Sequence, residues 1–311
     1  MNMRIFVAGA TGVIGRPLVA QLLEAGHQVT GMTRSEERAE GLRAAGAEAA
    51  LCDAFDRQAV REAVATARPE TVVHQLTDLP ERFDLRKPDY GETARLRREG
   101  TANLLEATRA GGARRFVAQS VAFIYAPGGS RLKSEDDPLI SMKGRYGEAM
   151  EAMRDAEAQV LAEPEIEGLV LRYGFFYGPG TYYGEDGSET QQVRRRRSPV
   201  VAGGTAINSF IHVDDAAAAT VAAVERGAPG VYNVVDDEPA EQREWLPAFA
   251  ESVGAKPPRR IPAWLVRMAA GKDALRLARE LRGASNEKAK RELGWRPRWA
   301  SWRQGFREAP R

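Results

Sequence analysis

Cysteine, histidine and long apolar runs are all scarce in this chain of 311 residues. A single cysteine, Cys52, excludes a disulfide within the chain and favours a reducing compartment. The three histidines, His27, His74 and His212, lie far apart and lack the spacing of metal ligands, so we expect no metal site. No apolar run approaches the length of a membrane span.

Charge of one sign is not in excess either, because 45 basic residues stand against 43 acidic ones and the net charge is +2. This balance gives no reason to expect binding to nucleic acid or to a membrane surface. The first strand-like run begins within a few residues of the N-terminus, which leaves no room for a signal peptide. We therefore expect a cytoplasmic protein.

Glycine, by contrast, recurs at a regular spacing near the N-terminus, at Gly9, Gly12 and Gly15. An apolar run typical of a buried strand, Ile5–Val7, precedes the glycines, and a helical pattern follows them. Gly9 can adopt a backbone angle closed to other residues, Gly12 leaves room for a pyrophosphate, and Gly15 permits close helix packing. The start of the helix offers unpaired N–H groups and the positive dipole end to phosphates. The pattern predicts a dinucleotide-binding turn, with an ordinary glycine-rich strand-to-helix connection as the alternative.

Strand-like and helix-like segments alternate along the chain, which predicts an α/β fold with a doubly wound parallel sheet. The strand-like runs lie at residues 5–7, 29–32, 47–52, 71–76, 115–120, 169–172 and 231–235. One long helix is expected over about residues 91–110 and another over about 145–161, whereas residues 77–90 and 175–207 read as connections. We predict a dinucleotide-binding domain of residues 1–172 with a returning segment at about 205–235, and a smaller C-terminal substrate lobe of residues 173–204 and 236–311.

Blocks along nearly the whole chain resemble, in order, those of the extended short-chain dehydrogenase/reductases, the group that includes nucleotide-sugar epimerases and dehydratases. The matching blocks are Gly9–Gly15, Val72–His74, Glu99–Leu105, Phe116–Tyr125, Leu171–Gly180, Phe210–Asp215 and Lys288–Trp295. The resemblance implies a Rossmann fold, a nicotinamide dinucleotide, and a small-molecule substrate bound outside the carboxyl ends of the strands. It also implies a homodimer formed through the helices expected near residues 91–110 and 145–161.

The resemblance implies cofactor contacts at three places in the chain. These are the glycine turn (Gly9, Thr11, Gly12, Val13, Ile14 and Gly15), the end of the second strand with its helix (Arg34 and Arg38), and the ends of the third and fourth strands (Asp53, Ala54 and Leu76). Relatives that prefer NAD carry an acid where Arg34 stands, whereas an arginine attracts a 2′-phosphate and can hydrogen-bond it twice. NADP is therefore the expected cofactor, and NAD remains the alternative if Arg34 is only a solvated loop residue.

The catalytic block departs from the family pattern, which pairs a tyrosine with a lysine four residues later so that the tyrosine can exchange a proton with the substrate. Tyr146 is followed four residues later by Met150. The register set by Glu157 instead places Ala149 and Met153 at the two positions. Neither register contains Tyr-x-x-x-Lys, so the chain is identified as an atypical member of the family.

Other groups are therefore predicted to serve the site. The predicted catalytic residues are Tyr146, Ser120 and Lys143, of which Lys143 precedes Tyr146 by about one helical turn. Ser120 stands one residue before Val121, the position of the family's serine, and Arg97 stands where relatives often carry asparagine. The predicted substrate contacts are Tyr125, Tyr173 and Tyr177.

These features predict an NADP-dependent oxidoreductase that acts on a small carbonyl or hydroxyl compound with a non-standard proton relay. Two alternatives remain open. One is an epimerase or dehydratase of the same family that oxidises its substrate transiently. The other is an NADP-binding protein without turnover that serves as a sensor or an interaction module. The sequence contains no recognisable code for the substrate.

Overall fold

A computed structural model of the protein describes residues 2–79 and 90–308, apart from the side chain of Arg145. The connection predicted at residues 77–90 thus falls mostly outside the described residues. The strands, in chain order, are β1 (Arg4–Ala8), β2 (Gln28–Thr33), β3 (Glu48–Leu51), β4 (Thr71–His74), β5 (Arg115–Val121), β6 (Leu132–Lys133), β7 (Glu167–Tyr173), β8 (Phe175–Tyr177), β9 (Val200–Val201), β10 (Ile207–Asn208), β11 (Phe210–His212), β12 (Gly230–Val234), β13 (Ala240–Glu241), β14 (Arg260–Ile261) and β15 (Gly283–Ala284).

Helices connect and cover these strands. In chain order they are α1 (Gly15–Glu24), α2 (Glu36–Ala44), α3 (Arg57–Ala67), α4 (Gly91–Arg95), α5 (Thr101–Ala110), α6 (Gly144–Ala162), α7 (Ser188–Arg194), α8 (Val213–Glu225), α9 (Gln242–Ser252), α10 (Ala263–Glu280), α11 (Glu287–Glu292) and α12 (Trp302–Glu308), with a π-turn (Leu96–Gly100) between α4 and α5.

The main sheet has seven strands in the order β3-β2-β1-β4-β5-β7-β12, and every neighbouring pair is parallel. The predicted doubly wound parallel sheet is confirmed. The chain reverses its direction of winding between β1 and β4, and ligands of such sheets bind at this switch point, outside the carboxyl ends of the strands. The glycine turn follows β1 and Leu76 follows β4, so both border this crevice.

Both faces of the sheet are buried, as a parallel sheet with helices on both sides requires. In β1, successive side chains point to opposite faces of the sheet. Ile5 and Val7 join a core cluster with residues of α1 and α8. Phe6 and Ala8 join a second cluster with residues of α3 and α5. Because both faces are buried, the strand sequences are runs of consecutive apolar residues and not an alternation of apolar and polar ones.

The helix predicted between β4 and β5, over about residues 91–110, is present with those bounds. A π-turn in its middle, between α4 and α5, is the feature that the sequence does not predict. A π-turn adds one residue to a helical turn and re-aims the side chains around it. Here Leu96 and Arg97 are buried while Arg98 and Glu99 are exposed.

The connection predicted over residues 175–207 also contains regular structure, namely β8, α7 and β9. Residues of this segment pack with the C-terminal helices in a separate aromatic cluster that includes Tyr177, Trp245, Phe249, Trp302 and Phe306. The division into two domains stays a prediction, as does the dimer. No helix within residues 2–79 and 90–308 is long and apolar enough to cross a bilayer.

Candidate active site

The glycine turn packs so closely that side chains are excluded at two of its positions. Gly9 has a φ of +89°, and a Cβ there would lie 2.7 Å from the backbone carbonyl carbon of Gln75. A Cβ on Gly15 would lie 2.1 Å from the carbonyl oxygen of Gly9. Gly12 closes the turn by donating its N–H to that same oxygen at 3.1 Å. The turn is therefore held against the end of β4 and against the start of α1.

The outer surface of this turn is open to a ligand. Gly12 and Val13 are exposed, Thr11 is half-buried, and Ile14 is buried beneath them. No side chain caps the start of α1, and no acidic residue lies in its first turn. The first amides of the helix and the positive dipole end therefore face outward without a competing anion. These residues fit the pyrophosphate of a dinucleotide.

The ends of β2, β3 and β4 place the other predicted cofactor residues beside the turn. Arg34 Nη1 lies 3.9 Å from Asp53 Oδ2, and the two side chains are 69% and 43% exposed. The other Asp53 oxygen accepts the N–H of Phe55 at 2.9 Å. Arg38 is exposed in the first turn of α2, whose cap is the Ser35 hydroxyl predicted from the sequence. Arg34 and Arg38 thus offer two solvent-facing guanidinium groups to a phosphate.

Ala54 and Leu76 line the inner wall of the same region. Ala54 is buried, and its carbonyl accepts the side-chain amide of Asn103 at 2.8 Å. Leu76 is half-buried and donates its N–H to His74 Nδ1 at 3.3 Å. Their contact with a cofactor stays a proposal.

Ser120 lies in the interior of the protein. Its side chain is buried, and its hydroxyl donates to Glu157 Oε1 at 2.5 Å. Glu157 is in turn paired with Arg172, at 2.6 Å between Nη2 and Oε2 and 2.9 Å between Nε and Oε1. Ser120 therefore supports a buried ion pair, and we do not retain it among the proposed catalytic groups.

The predicted substrate residue Tyr125 belongs to the same buried network. Its hydroxyl donates to Asn233 Oδ1 at 2.6 Å and accepts from Arg172 Nη1 at 3.0 Å. The ring is 2% exposed, and burial raises the pKa of Tyr125 to about 12, although Arg172 opposes the shift. With its hydroxyl satisfied on both sides, Tyr125 joins β5 to β7 and β12, and we withdraw it as a proposed substrate contact.

Tyr173 and Tyr177 are also buried, contrary to the role predicted for them. The Tyr173 hydroxyl lies between Thr220 Oγ1 at 2.7 Å and Gln75 Nε2 at 3.0 Å, inside the sheet-to-α8 core. Tyr177 is 1% exposed and packs edge-on against the ring of Phe306. With Tyr173 and Tyr177 only 0% and 1% exposed, neither side chain is retained as a proposed substrate contact.

Tyr146 lies at the carboxyl end of β5, in the first turn of α6. It is half-buried and packs against a cluster that includes Met150 and Met153. Burial and the neighbouring hydroxyl of Tyr90 both raise the pKa of Tyr146, so its phenol is protonated at neutral pH. Lys143 is exposed and has an extended backbone before the helix, so the one-turn helical spacing assumed for this pair does not apply.

Tyr90 lies beside Tyr146, and Tyr182 lies beside Tyr90. We call these three residues the tyrosine cluster. All three are half-buried. Burial raises the pKa of Tyr90 to about 12, and Tyr182 adds to the shift. The three residues follow the carboxyl ends of β4, β5 and β8, where a substrate is expected in this fold. In the sequence, Tyr182 belongs to the long connection at residues 175–207, which is expected to border the pocket, and no pattern marks Tyr90.

Arg97 borders the same region from the π-turn. Its guanidinium charge partly offsets the rise in the pKa of Tyr90 that burial causes. The only signal for this residue in the sequence is the departure from the asparagine common in relatives. The structure thus brings together a cofactor cradle, a tyrosine cluster and a buried arginine around one crevice.

Known proteins are similar to this chain in sequence and in fold. The profile of the NAD dependent epimerase/dehydratase family matches residues 5–234. A 3-diazoavenalumate denitrifying reductase from Streptomyces is 47% identical over 305 residues, which cover 98% of this chain and 99% of that protein. A 4-hydroxy-2-methyl-3-oxo-4-farnesyl-3,4-dihydroquinoline-1-oxide ketoreductase from Stigmatella aurantiaca is 30% identical, covering 94% and 92% of the two chains.

Solved structures agree at the level of the fold. The UDP-glucose 4-epimerase of Thermotoga maritima, crystallised with UDP-glucose, has a TM-score of 0.77 and 23% identity, and the match covers 99% of this chain and 96% of that one. A human epimerase family protein with NADPH has a TM-score of 0.73 and 20% identity, with 98% of each chain covered. The chain is an oxidoreductase-type enzyme that uses a nicotinamide dinucleotide, and it belongs to the NAD dependent epimerase/dehydratase family.

Proposed function

We propose that the protein is an NADPH-dependent reductase that replaces the diazo group of a small aromatic substrate with hydrogen. The observation that carries the proposal is the 47% identity, over nearly all of both chains, with a reductase named for a diazo substrate and for denitrification. Bound NADPH supplies a hydride to the carbon that carries the diazonium group. The hydride brings the electron pair of the new C–H bond, and dinitrogen leaves with the electron pair of the old C–N bond.

The surroundings of α6 support this reaction. Reduction of a carbonyl creates an alkoxide that needs a proton, which is the task of an activated tyrosine. Displacement of dinitrogen creates no oxyanion, so this step requires no such proton donor. Helix α6 carries Met150 and Met153 in an apolar cluster, and the only phenol in its first turn, Tyr146, has a raised pKa. A site without an activated tyrosine is sufficient for the proposed reaction.

Carbonyl reduction is the second candidate. It is favoured by the position of Tyr146 in the tyrosine cluster, where a protonated phenol can donate a proton to a developing alkoxide. The ketoreductase at 30% identity also supports carbonyl reduction. In this case Tyr146 would be the proton donor, as predicted from the sequence.

One experiment separates the two candidates. The protein is mixed with NADPH deuterated at nicotinamide C4 and with either the diazonium salt of 4-aminobenzoate or a panel of ketones and quinones. We expect deuterated benzoate and dinitrogen in equal amounts, above a control without protein. Turnover of ketones alone, lost on the order of 10²-fold or more in Tyr146→Phe, would support the second candidate instead. Tight NADPH binding without turnover of any compound would support the non-catalytic alternative.

Arg34→Ala is expected to weaken NADPH binding by roughly 10- to 100-fold, because charge-assisted hydrogen bonds contribute about 1.5–3 kcal/mol. NADH has no 2′-phosphate, so its dissociation constant is expected to change less than about threefold. Fluorescence titration of the reduced cofactors measures both constants. Arg43→Ala is the matched control, since Arg43 lies in the last turn of α2 and pairs with Glu36 at 2.7 Å. Equal losses for the two cofactors would contradict the assignment of NADP.

A further inference from the structure

Arg97 is a buried cation at a pocket beside the carboxyl ends of β4 and β5. The π-turn carries it inward, and its side chain lines a pocket together with His74, Leu76, Thr101 and Gln119. The residue is 8% exposed. Arg98, the next residue, points outward and pairs with Asp155 at 2.7 Å. The same turn therefore presents one arginine to solvent and one to the pocket.

Among the described residues, Arg172 is the other buried arginine, and it has a partner on the protein itself, Glu157. The half-buried Arg115 is likewise paired, with Glu167 at 2.6 Å. Arg97 makes no hydrogen bond or ion pair with any residue in 2–79 or 90–308. Burial lowers the pKa of Arg97 to about 10, so it is still charged at neutral pH. An uncompensated buried charge is unfavourable, and an anion in the pocket would remove that cost.

Within the part of the chain that the structure describes, the groups around Arg97 do not supply this anion. Burial and Arg97 lower the pKa of His74 to about 4, and the neutral ring accepts from the Leu76 N–H and bonds to Thr101 Oγ1 at 3.1 Å. Glu157 lies in the same pocket wall, but its oxygens are occupied by Arg172 and Ser120. Tyr90 is protonated at neutral pH.

A planar guanidinium matches the geometry of a carboxylate, which can accept two parallel N–H groups. The half-buried ring of Tyr90 lies beside it and offers aromatic surface, and the other two tyrosines of the cluster follow through Tyr90. We propose that Arg97 binds the carboxylate of the substrate and makes the enzyme selective for anionic aromatic compounds. This inference rests on the proposed reductase function and names the substrate class for that site.

The first test measures binding and needs no turnover. Cinnamate and its uncharged analogue cinnamyl alcohol are titrated into the protein by calorimetry. Arg97→Gln is expected to weaken cinnamate roughly 10- to 100-fold and to leave the alcohol unchanged within about twofold. Arg97→Lys should recover part of the loss, because it keeps the charge but not the paired donors. Arg98→Gln is the matched control and should bind both probes like the wild type.

Two outcomes would overturn the inference: unchanged cinnamate affinity in Arg97→Gln, or equal losses for cinnamate and the alcohol. Removal of an unpaired buried cation is not expected to lower the melting temperature. If Arg97→Gln does not fold, Arg97→Lys must still show the loss confined to cinnamate.

The second test compares turnover of the diazonium salt of 4-aminobenzoate with that of its methyl ester. Arg97→Gln should raise KM for the carboxylate at least tenfold and leave KM for the ester and both kcat values nearly unchanged. No turnover of either compound, with the cinnamate result intact, would refute the reductase function and leave the carboxylate site standing. Turnover without carboxylate selectivity would refute the Arg97 proposal alone.

Discussion

Glu157→Ala is expected to lower the free energy of unfolding by about 3–5 kcal/mol, the usual cost of leaving one member of a buried ion pair without its partner. Arg172 and Glu157 have side chains only 4% and 6% exposed. Burial lowers the pKa of Arg172, but the hydrogen bonds and the charge of Glu157 outweigh this effect and raise it overall. Without the carboxylate, the guanidinium keeps its charge in a site that water does not reach, and the Ser120 hydroxyl loses its acceptor.

Urea denaturation followed by tryptophan fluorescence measures this loss. Asp155→Asn is the control on the same helix, because Asp155 pairs with Arg98 at the surface and its loss should cost less than about 1 kcal/mol. The double substitution of Glu157→Leu with Arg172→Met should recover part of the stability, since no unpaired charge remains. A loss for Glu157→Ala no larger than that of Asp155→Asn would contradict the buried-pair interpretation.

Gly15→Ala is expected to abolish measurable NADPH binding and to lower the free energy of unfolding by about 1–3 kcal/mol, the typical cost of overpacking. The added Cβ would lie 2.1 Å from the Gly9 carbonyl oxygen and 2.6 Å from the Ala10 carbonyl carbon. Both neighbours are backbone atoms of the glycine turn, so a change of side-chain rotamer cannot relieve the clash. The turn must move, and the surface that fits the pyrophosphate is lost with it.

Gly41→Ala provides the matched control. Gly41 is exposed within α2, and a Cβ there meets no atom within 4 Å. Because alanine is a better helix former than glycine, this variant should be more stable by roughly 0.5–1 kcal/mol and should bind NADPH normally. Titration of NADPH fluorescence and thermal melting measure both effects. Normal binding by Gly15→Ala would show that the turn is not the phosphate cradle.

The features that the sequence predicts well depend on neighbours in the chain. The main-sheet strands are marked by apolar runs, the turn by Gly9, Gly12 and Gly15, and the start of α2 by Ser35, whose hydroxyl accepts the Arg38 N–H at 3.4 Å. Each of these signals lies within a few residues of the element it specifies. The family blocks extend the same local information over the chain.

The features that the sequence predicts poorly depend on distant partners. The sequence predicts Tyr125 as a substrate contact, but its hydroxyl donates to Asn233, which is 108 positions away. The sequence predicts Ser120 as a catalytic group, but its hydroxyl donates to Glu157, 37 positions further on. No sequence pattern marks the π-turn, yet the π-turn determines that Arg97 is buried and Arg98 is exposed. The periodicity of a single helix or strand gives no information about these pairings, because they form only when the elements pack together.

The strand order also determines which part of the sheet can form first while the chain is being synthesised. Strands β3, β2, β1 and β4 form one side of the sheet and are complete by residue 74, and the contact of Gly9 with Gln75 follows at once. The other side needs β7 and, at its edge, β12, which ends at residue 234. Because a chain emerges from the ribosome with its N-terminus first, every contact of the phosphate cradle can form while more than half of the protein has yet to be translated.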